Sequence, residues 1–222
     1  MPVSAAILDM DGLMVDTEPL YKFAWQQAAL ELGYVVDDEL YAQCVGLHTL
    51  ACEALIVERH GAAFPLSQFR ELWPDVWQRQ VDQGGIQTKL GLDGLLEFIK
   101  RHGLPVAVAT SSDATFVERT LRAAGLTGRF NAIVSGDEVA RGKPEPDIYL
   151  EAARRLGVSP GDCVAFEDSE AGILAVNRAG MRGVLVPHWP ASSQARQAAF
   201  RIVETLHQGR EVLADLIDGT LR

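Results

Sequence analysis

Ala5-Ala6-Ile7-Leu8-Asp9-Met10-Asp11-Gly12 is the stretch from which the rest of the chain can be read. Four apolar residues make a short buried strand, and the acids stand where such a strand hands over to a loop. Further β-rich runs follow at residues 105–109, 132–134, 163–166 and 183–186, with helical segments between them. That alternation predicts an α/β fold built on a doubly wound parallel sheet.

The interval between the first strand and the second does not fit the rhythm. From Thr17 to about Val81 the pattern is helical, with Leu20, Ala24, Ala28 and Leu32 on one face and breaks at Gly33, Gly46 and Gly61. An ordinary crossover uses one helix and connections of about 2–6 residues. An inserted all-α cap is therefore expected at residues 17–85, with the α/β core made of residues 1–16 and 86–222. Thr17, with Pro19 two residues on, reads as a capped helix start, and Gly84-Gly85 as the exit.

Composition narrows the function classes. With 222 residues, 48% of them hydrophobic and 23% charged, the chain can bury a core and is not a disordered tract. A net charge of −10 argues against a broad basic surface for nucleic acid or a polybasic membrane contact. No apolar run approaches the ~20 residues of a membrane span. Cys44, Cys52 and Cys163 lack C-x-x-C spacing, so buried thiols are expected rather than a disulfide framework or zinc site. The start of the chain lacks the basic and apolar regions of a secretory leader, and a cytoplasmic setting is expected.

Open α/β sheets bind ligands outside the carboxyl ends of their strands. The residues there are Asp9, Asp11 and Gly12; Thr110, Ser111 and Ser112; and Glu167 and Asp168, with Gly142-Lys143-Pro144-Glu145-Pro146-Asp147 between the last two groups. Each has a plain structural reading. Paired acids can form turns, Glu167-Asp168 can start a helix, Thr110-Ser111-Ser112-Asp113 makes a good helix cap, and Asp147 can cap residues 148–156. Four such motifs in order favour a shared chemical role.

The four motifs resemble the haloacid dehalogenase superfamily, in its phosphatase and beta-phosphoglucomutase-like branch. The likeness lies in residues 9–18, 108–112, 142–147 and 166–172. It extends to pseudouridine-5'-phosphatase-like and sugar-phosphate phosphatases. It implies a Rossmann-like core with a small helical cap and a magnesium-dependent phosphomonoester hydrolase acting on a small phosphorylated metabolite. No nucleic acid, membrane or partner protein is expected.

The resemblance also implies roles. Asp9 would be the nucleophile that forms an aspartyl phosphate, and Asp11 the proton shuttle. Asp9, the Asp11 carbonyl, Asp168 and Glu167, the last directly or through water, would hold Mg2+. Lys143, the Thr110 hydroxyl and the Ser111 and Ser112 N–H groups would cradle phosphate, past which Gly12 lets the chain turn. In the cap, Tyr21 and Gly46 would meet the substrate. A sugar phosphomutase is the alternative. However, the positions where beta-phosphoglucomutase carries basic anchors correspond here to Tyr21, Val45 and Thr49, which favours hydrolysis. A non-catalytic binding relative is a further alternative, disfavoured because every catalytic position is filled. His48 and His60 read as residues of the cap, His102, His188 and His207 show no partner pattern, and none is a strong catalytic candidate.

Overall fold

The computed structural model describes residues 3–44, 49–187 and 190–221. In chain order the elements are β1 (Ala5–Leu8), α1 (Glu18–Glu31), α2 (Asp38–Cys44), α3 (Thr49–His60), α4 (Leu66–Gly84), α5 (Leu92–Arg101), β2 (Val106–Ala109), α6 (Ala114–Ala123), β3 (Ala132–Val134), α7 (Asp147–Leu156), β4 (Cys163–Glu167), α8 (Glu170–Arg178), β5 (Arg182–Leu185), α9 (Ser193–Ala198), β6 (Arg201–Ile202) and α10 (Leu206–Ile217). They fall into two compact units, residues Met1–Asp16 with Gln87–Arg222, and residues Thr17–Ile86.

The first unit is the doubly wound sheet. All six strands run parallel in the order β3-β2-β1-β4-β5-β6. Both faces are covered, so β1, β2 and β4 are continuously buried, which explains their apolar runs without alternation. The order reverses at β1, where β2 lies on one side and β4 on the other, as at a topological switch point. Leu8 stands opposite both Val108 and Phe166. This register brings Asp9, the end of β2 and Glu167 to one level.

The second unit holds α1 to α4 and, among the described residues, no strand. α1 packs along α4, with Trp25 edge-on to Phe69 at 5.5 Å between ring centroids. The buried face of α1 is Ala24, Trp25, Ala28 and Ala29, so the apolar stripe is rotated from the expected Leu20–Leu32 line. Cys44, Cys52 and Cys163 are free and buried, as their spacing suggested.

Local caps depart from expectation. Thr17 precedes α1 in helical backbone geometry without a side-chain cap, and its carbonyl accepts from the N–H groups of Leu20 and Tyr21. Asp147 is the first residue of α7, and its carboxylate is taken by Arg141 at 2.7 and 3.1 Å. Ser169, not Glu167 or Asp168, caps α8 by accepting from the Gly172 N–H. β6 is only two exposed residues long, too short to give a sequence signal.

Candidate active site

Asp9 continues β1 beyond its last paired residue and is 6% exposed; its N–H donates to the Phe166 carbonyl. The loop after it closes on itself, with Gly12 N–H donating to the Val15 carbonyl and Met14 N–H to that of Met10. Gly12 has φ of 81°, and a Cβ there would stand 2.1 Å from Asp168 Oδ2. Only glycine serves both demands, so this residue lets the loop pass the Asp168 carboxylate.

Lys143 reaches the same point from the loop before α7. Its Nζ donates to Asp9 Oδ1 at 2.5 Å, to Glu167 Oε1 at 2.6 Å and to the Ala109 carbonyl at 3.1 Å. Arg178 steadies that loop through the Pro144 carbonyl and Glu145. Burial works against charge on Lys143, but Asp9 and Glu167 outweigh it and hold the ammonium above its ordinary pKa.

The three carboxylates are not equivalent. Burial pushes Asp9 up to about 8 against the pull of Lys143, with Glu167 and Asp11 adding to the rise. Asp168 is raised well above the usual carboxylate range by burial and by its neighbours Asp9 and Glu167. Glu167 goes the other way, because Lys143, Tyr149 and the Ser169 N–H outweigh its complete burial.

The cause is visible in the bonds. Glu167 Oε1 accepts from Lys143 and, at 2.6 Å, from the Tyr149 hydroxyl. Oε2 accepts from the Asp168 and Ser169 N–H groups and the Ser169 hydroxyl. Those five donors fill the roughly four lone-pair positions of a carboxylate. Gly172 makes room for it, since a Cβ there would lie 1.8 Å from Oε1.

One oxygen each of Asp9, Glu167 and Asp168 lie within 4.8 Å of one another. Lys143 balances one negative charge of the three. The two carboxylates left over, Asp9 and Asp168, are those held above their ordinary range, and no side chain donates to Asp168 among the described residues. Hard oxygen donors with unbalanced negative charge fit a divalent cation such as Mg2+.

On the β2 side, the Thr110 and Ser112 hydroxyls donate to Asp11 Oδ2 at 3.3 and 2.8 Å. The Ser112 N–H donates to Thr110 Oγ1 and is already engaged within the protein, whereas the Ser111 N–H has no acceptor among the described residues. Asp113 caps α6 by accepting from the Phe116 N–H, so the structural reading of this motif is real beside any chemical one.

Asp9, Asp11, Gly12, Thr110, Ser112, Lys143, Glu167 and Asp168 thus share one cluster of contacts. Tyr21 belongs to the other unit, where its ring neighbours are Trp73 at 6.0 Å and Trp77 at 6.4 Å. Gly46 and Val45 lie outside the described residues. Sequence reasoning missed Tyr149 and Ser169. Tyr149 had one faint signal: a hydroxyl among the buried positions Ile148, Ala152 and Ala153 of an amphipathic helix.

A family model for haloacid dehalogenase-like hydrolases matches residues 3–180. The chain is 35% identical over 185 residues to the fructose-1-phosphate phosphatase of Escherichia coli, covering 80% of this chain and 93% of that protein. It is 31% identical over 218 residues to the beta-phosphoglucomutase of Bacillus subtilis, covering 93% and 95%. Among solved structures, CbbY from Rhodobacter sphaeroides in complex with phosphate aligns with a TM-score of 0.78 at 29% identity, over 93% of this chain and 96% of that one.

Proposed function

Because this chain belongs to the haloacid dehalogenase-like hydrolases, a family whose model matches residues 3–180, we propose that it hydrolyses the phosphomonoester of a small metabolite through an aspartyl phosphate on Asp9. The observation that carries this reading is Lys143, buried and bonded at once to Asp9 and Glu167 beside Asp168. That arrangement presents a carboxylate nucleophile inside a positively supplemented pocket, which phosphoryl transfer requires.

An Asp9 oxygen attacks phosphorus and the bond from phosphorus to the metabolite's oxygen breaks, with Asp11 giving that oxygen a proton. Water then attacks the phosphorus on Asp9, Asp11 takes the proton, and inorganic phosphate leaves. Asp11 must exchange its bonds to Thr110 and Ser112 for the leaving oxygen, and those hydroxyls hold it ready until then. Lys143 and the unengaged Ser111 N–H supply donors for the equatorial oxygens. Asp9, Asp168 and the Asp11 carbonyl would hold Mg2+, which would supply positive charge to keep Asp9 ionised and to offset the negative charge of the phosphate. Glu167, saturated by its own donors, supports this set from behind.

Residues 17–85 are read as a cap that selects the substrate, with Tyr21 and Gly46 as contacts. A sugar phosphate or nucleoside monophosphate is the substrate class. The likeness to fructose-1-phosphate phosphatase favours the former. Likeness to a beta-phosphoglucomutase keeps isomerisation of a phosphosugar as the second reading. Three free thiols fit a reducing cytoplasm, and no described helix is long and apolar enough to cross a membrane.

The test is phosphate release from sugar phosphates and nucleoside monophosphates with magnesium, beside Asp9→Asn and Tyr21→Ala. Turnover that needs both Asp9 and magnesium is expected, with a changed substrate ranking in Tyr21→Ala. Silence from folded wild-type protein, with interconversion of glucose 1- and 6-phosphates when a bisphosphate is added, would establish the mutase instead.

A further inference from the structure

We propose that Tyr149 is a positioning residue for phosphoryl transfer, one that keeps Glu167 on Lys143 and away from the metal; the inference rests on the reading of the site just given. Tyr149 is fully buried on the first turn of α7. Its hydroxyl donates to Glu167 Oε1 at 2.6 Å, the oxygen that also accepts from Lys143 at 2.6 Å. Its ring lies under the same ammonium, with Nζ 5.2 Å from the centroid. One side chain therefore touches both members of the ion pair that faces Asp9.

The consequence follows from counting acceptors. Glu167 lies close enough to Asp9 and Asp168 for all three to hold one cation. What separates its role from theirs is that its lone pairs are already filled, two bonds on Oε1 and three on Oε2. Of the five donors, two are backbone N–H groups and one is the hydroxyl that caps α8, so all three are fixed by the chain itself. Lys143 is shared with Asp9. Among the described residues, the Tyr149 hydroxyl makes no other hydrogen bond. Without it, Oε1 keeps a single bond, and Glu167, which lies close enough to Asp9 and Asp168 to share a cation, regains a free lone pair.

Removing the hydroxyl should then have two opposite effects. Glu167 becomes an additional anionic ligand and the metal binds more tightly. At the same time Lys143 loses its fixed place against Asp9 and transfer slows. A purely structural role for Tyr149 predicts damage in one direction, with metal binding and turnover weakening together.

Tyr149→Phe keeps the ring and deletes the oxygen. Magnesium binding is measured by calorimetry on the substrate-free protein, and kcat and KM on the best phosphomonoester of the panel. The expected result is a kcat about tenfold lower at little-changed KM, with magnesium bound several-fold more tightly, on the scale typical of groups that orient metal ligands. Glu167→Gln in the same background should return magnesium affinity toward the wild-type value, since the added ligand is then neutral. Unchanged magnesium affinity, or affinity and kcat that fall together with thermal stability, would overturn the proposal. If the wild type releases no phosphate from any substrate, the functional reading fails, while the calorimetric comparison still decides the role of Tyr149.

Discussion

Asp9 shows how a residue can be costly to the fold while holding the place that the proposed chemistry requires. Its carboxyl is raised from an ordinary 3.8 to about 8, chiefly by burial, so in metal-free protein the folded state binds a proton that the unfolded state has released. Stability should therefore fall as the pH rises from about 4 to about 8, the window between those two values. Asp168 is raised for the same reason and adds to the slope. Replacing Asp9 with Asn removes its share, and the expected outcome is a flatter stability profile over that window together with a loss of turnover of about four orders of magnitude or more. Urea titrations between pH 5 and 8, on protein freed of metal by chelation, check the first part. An Asn variant as steep as the wild type would show that burial is not what governs this carboxyl. That Asp9, Asp11 and Asp168 gather at one edge of the sheet was legible because the carboxyl ends of the strands in an open α/β sheet converge there, and Lys143 joins them from the loop before α7. Tyr149 was not, because its importance depends on which carboxylate its hydroxyl meets, and that is fixed by the packing of α7 against the sheet.

At the scale of elements, short apolar runs showed where β1 to β5 lie, most plainly for β1, β2 and β4, since strands buried on both faces leave little freedom of composition. β6 left no trace, because Arg201 and Ile202 are exposed and gain their strand geometry from the edge of β5 alone. Helix starts were read less well. Thr17 and Asp147 have the chemistry of caps, yet the Thr17 side chain does not cap α1 and Asp147 is drawn off by Arg141. The turn after β3 shows a cap that does act. Glu138 Oε2 accepts from the N–H and hydroxyl of Ser135, while Oε1 accepts from Arg155 of α7 at 2.8 Å. Arg155 and the Ser135 N–H hold the Glu138 carboxyl down to about 2 from its ordinary 4.5. A depressed acid contributes stability above its unfolded value and loses it as the pH falls toward the folded one. Glu138→Gln is expected to cost about 1 kcal/mol near neutral pH, on the scale of lost caps. The deficit should shrink as the pH falls from about 4.5 toward 2. Chemical denaturation of both proteins across that range measures it; a deficit constant with pH would assign the effect to packing instead of charge.

For the whole molecule, the change of period near residues 17 and 85 was legible because a four-helix insertion cannot be a crossover. The aromatic packing inside it was not, because which rings meet is fixed by how the helices cross: Tyr21 lies among Trp73 and Trp77, and Trp25 against Phe69. The division has a thermodynamic consequence. Asp9, Asp11, Glu167 and Asp168 all belong to the unit of residues 1–16 and 87–222, and none to residues 17–86. A ligand that binds only the folded form of one unit stabilises that unit by mass action, about 2.7 kcal/mol at a hundredfold excess over Kd. For a unit of this size that raises its midpoint by roughly 5–10 °C. Scanning calorimetry with increasing magnesium should therefore move the transition of the sheet unit upward and leave that of the helical unit in place. Three of the four tryptophans, Trp25, Trp73 and Trp77, belong to the helical unit and Trp189 to the other, so in a Trp189→Phe background the fluorescence is an independent marker of the helical unit's unfolding. If the tryptophan signal and the calorimetric transition climb together by the same amount, the two units unfold as one, and the free energy of magnesium binding stabilises both.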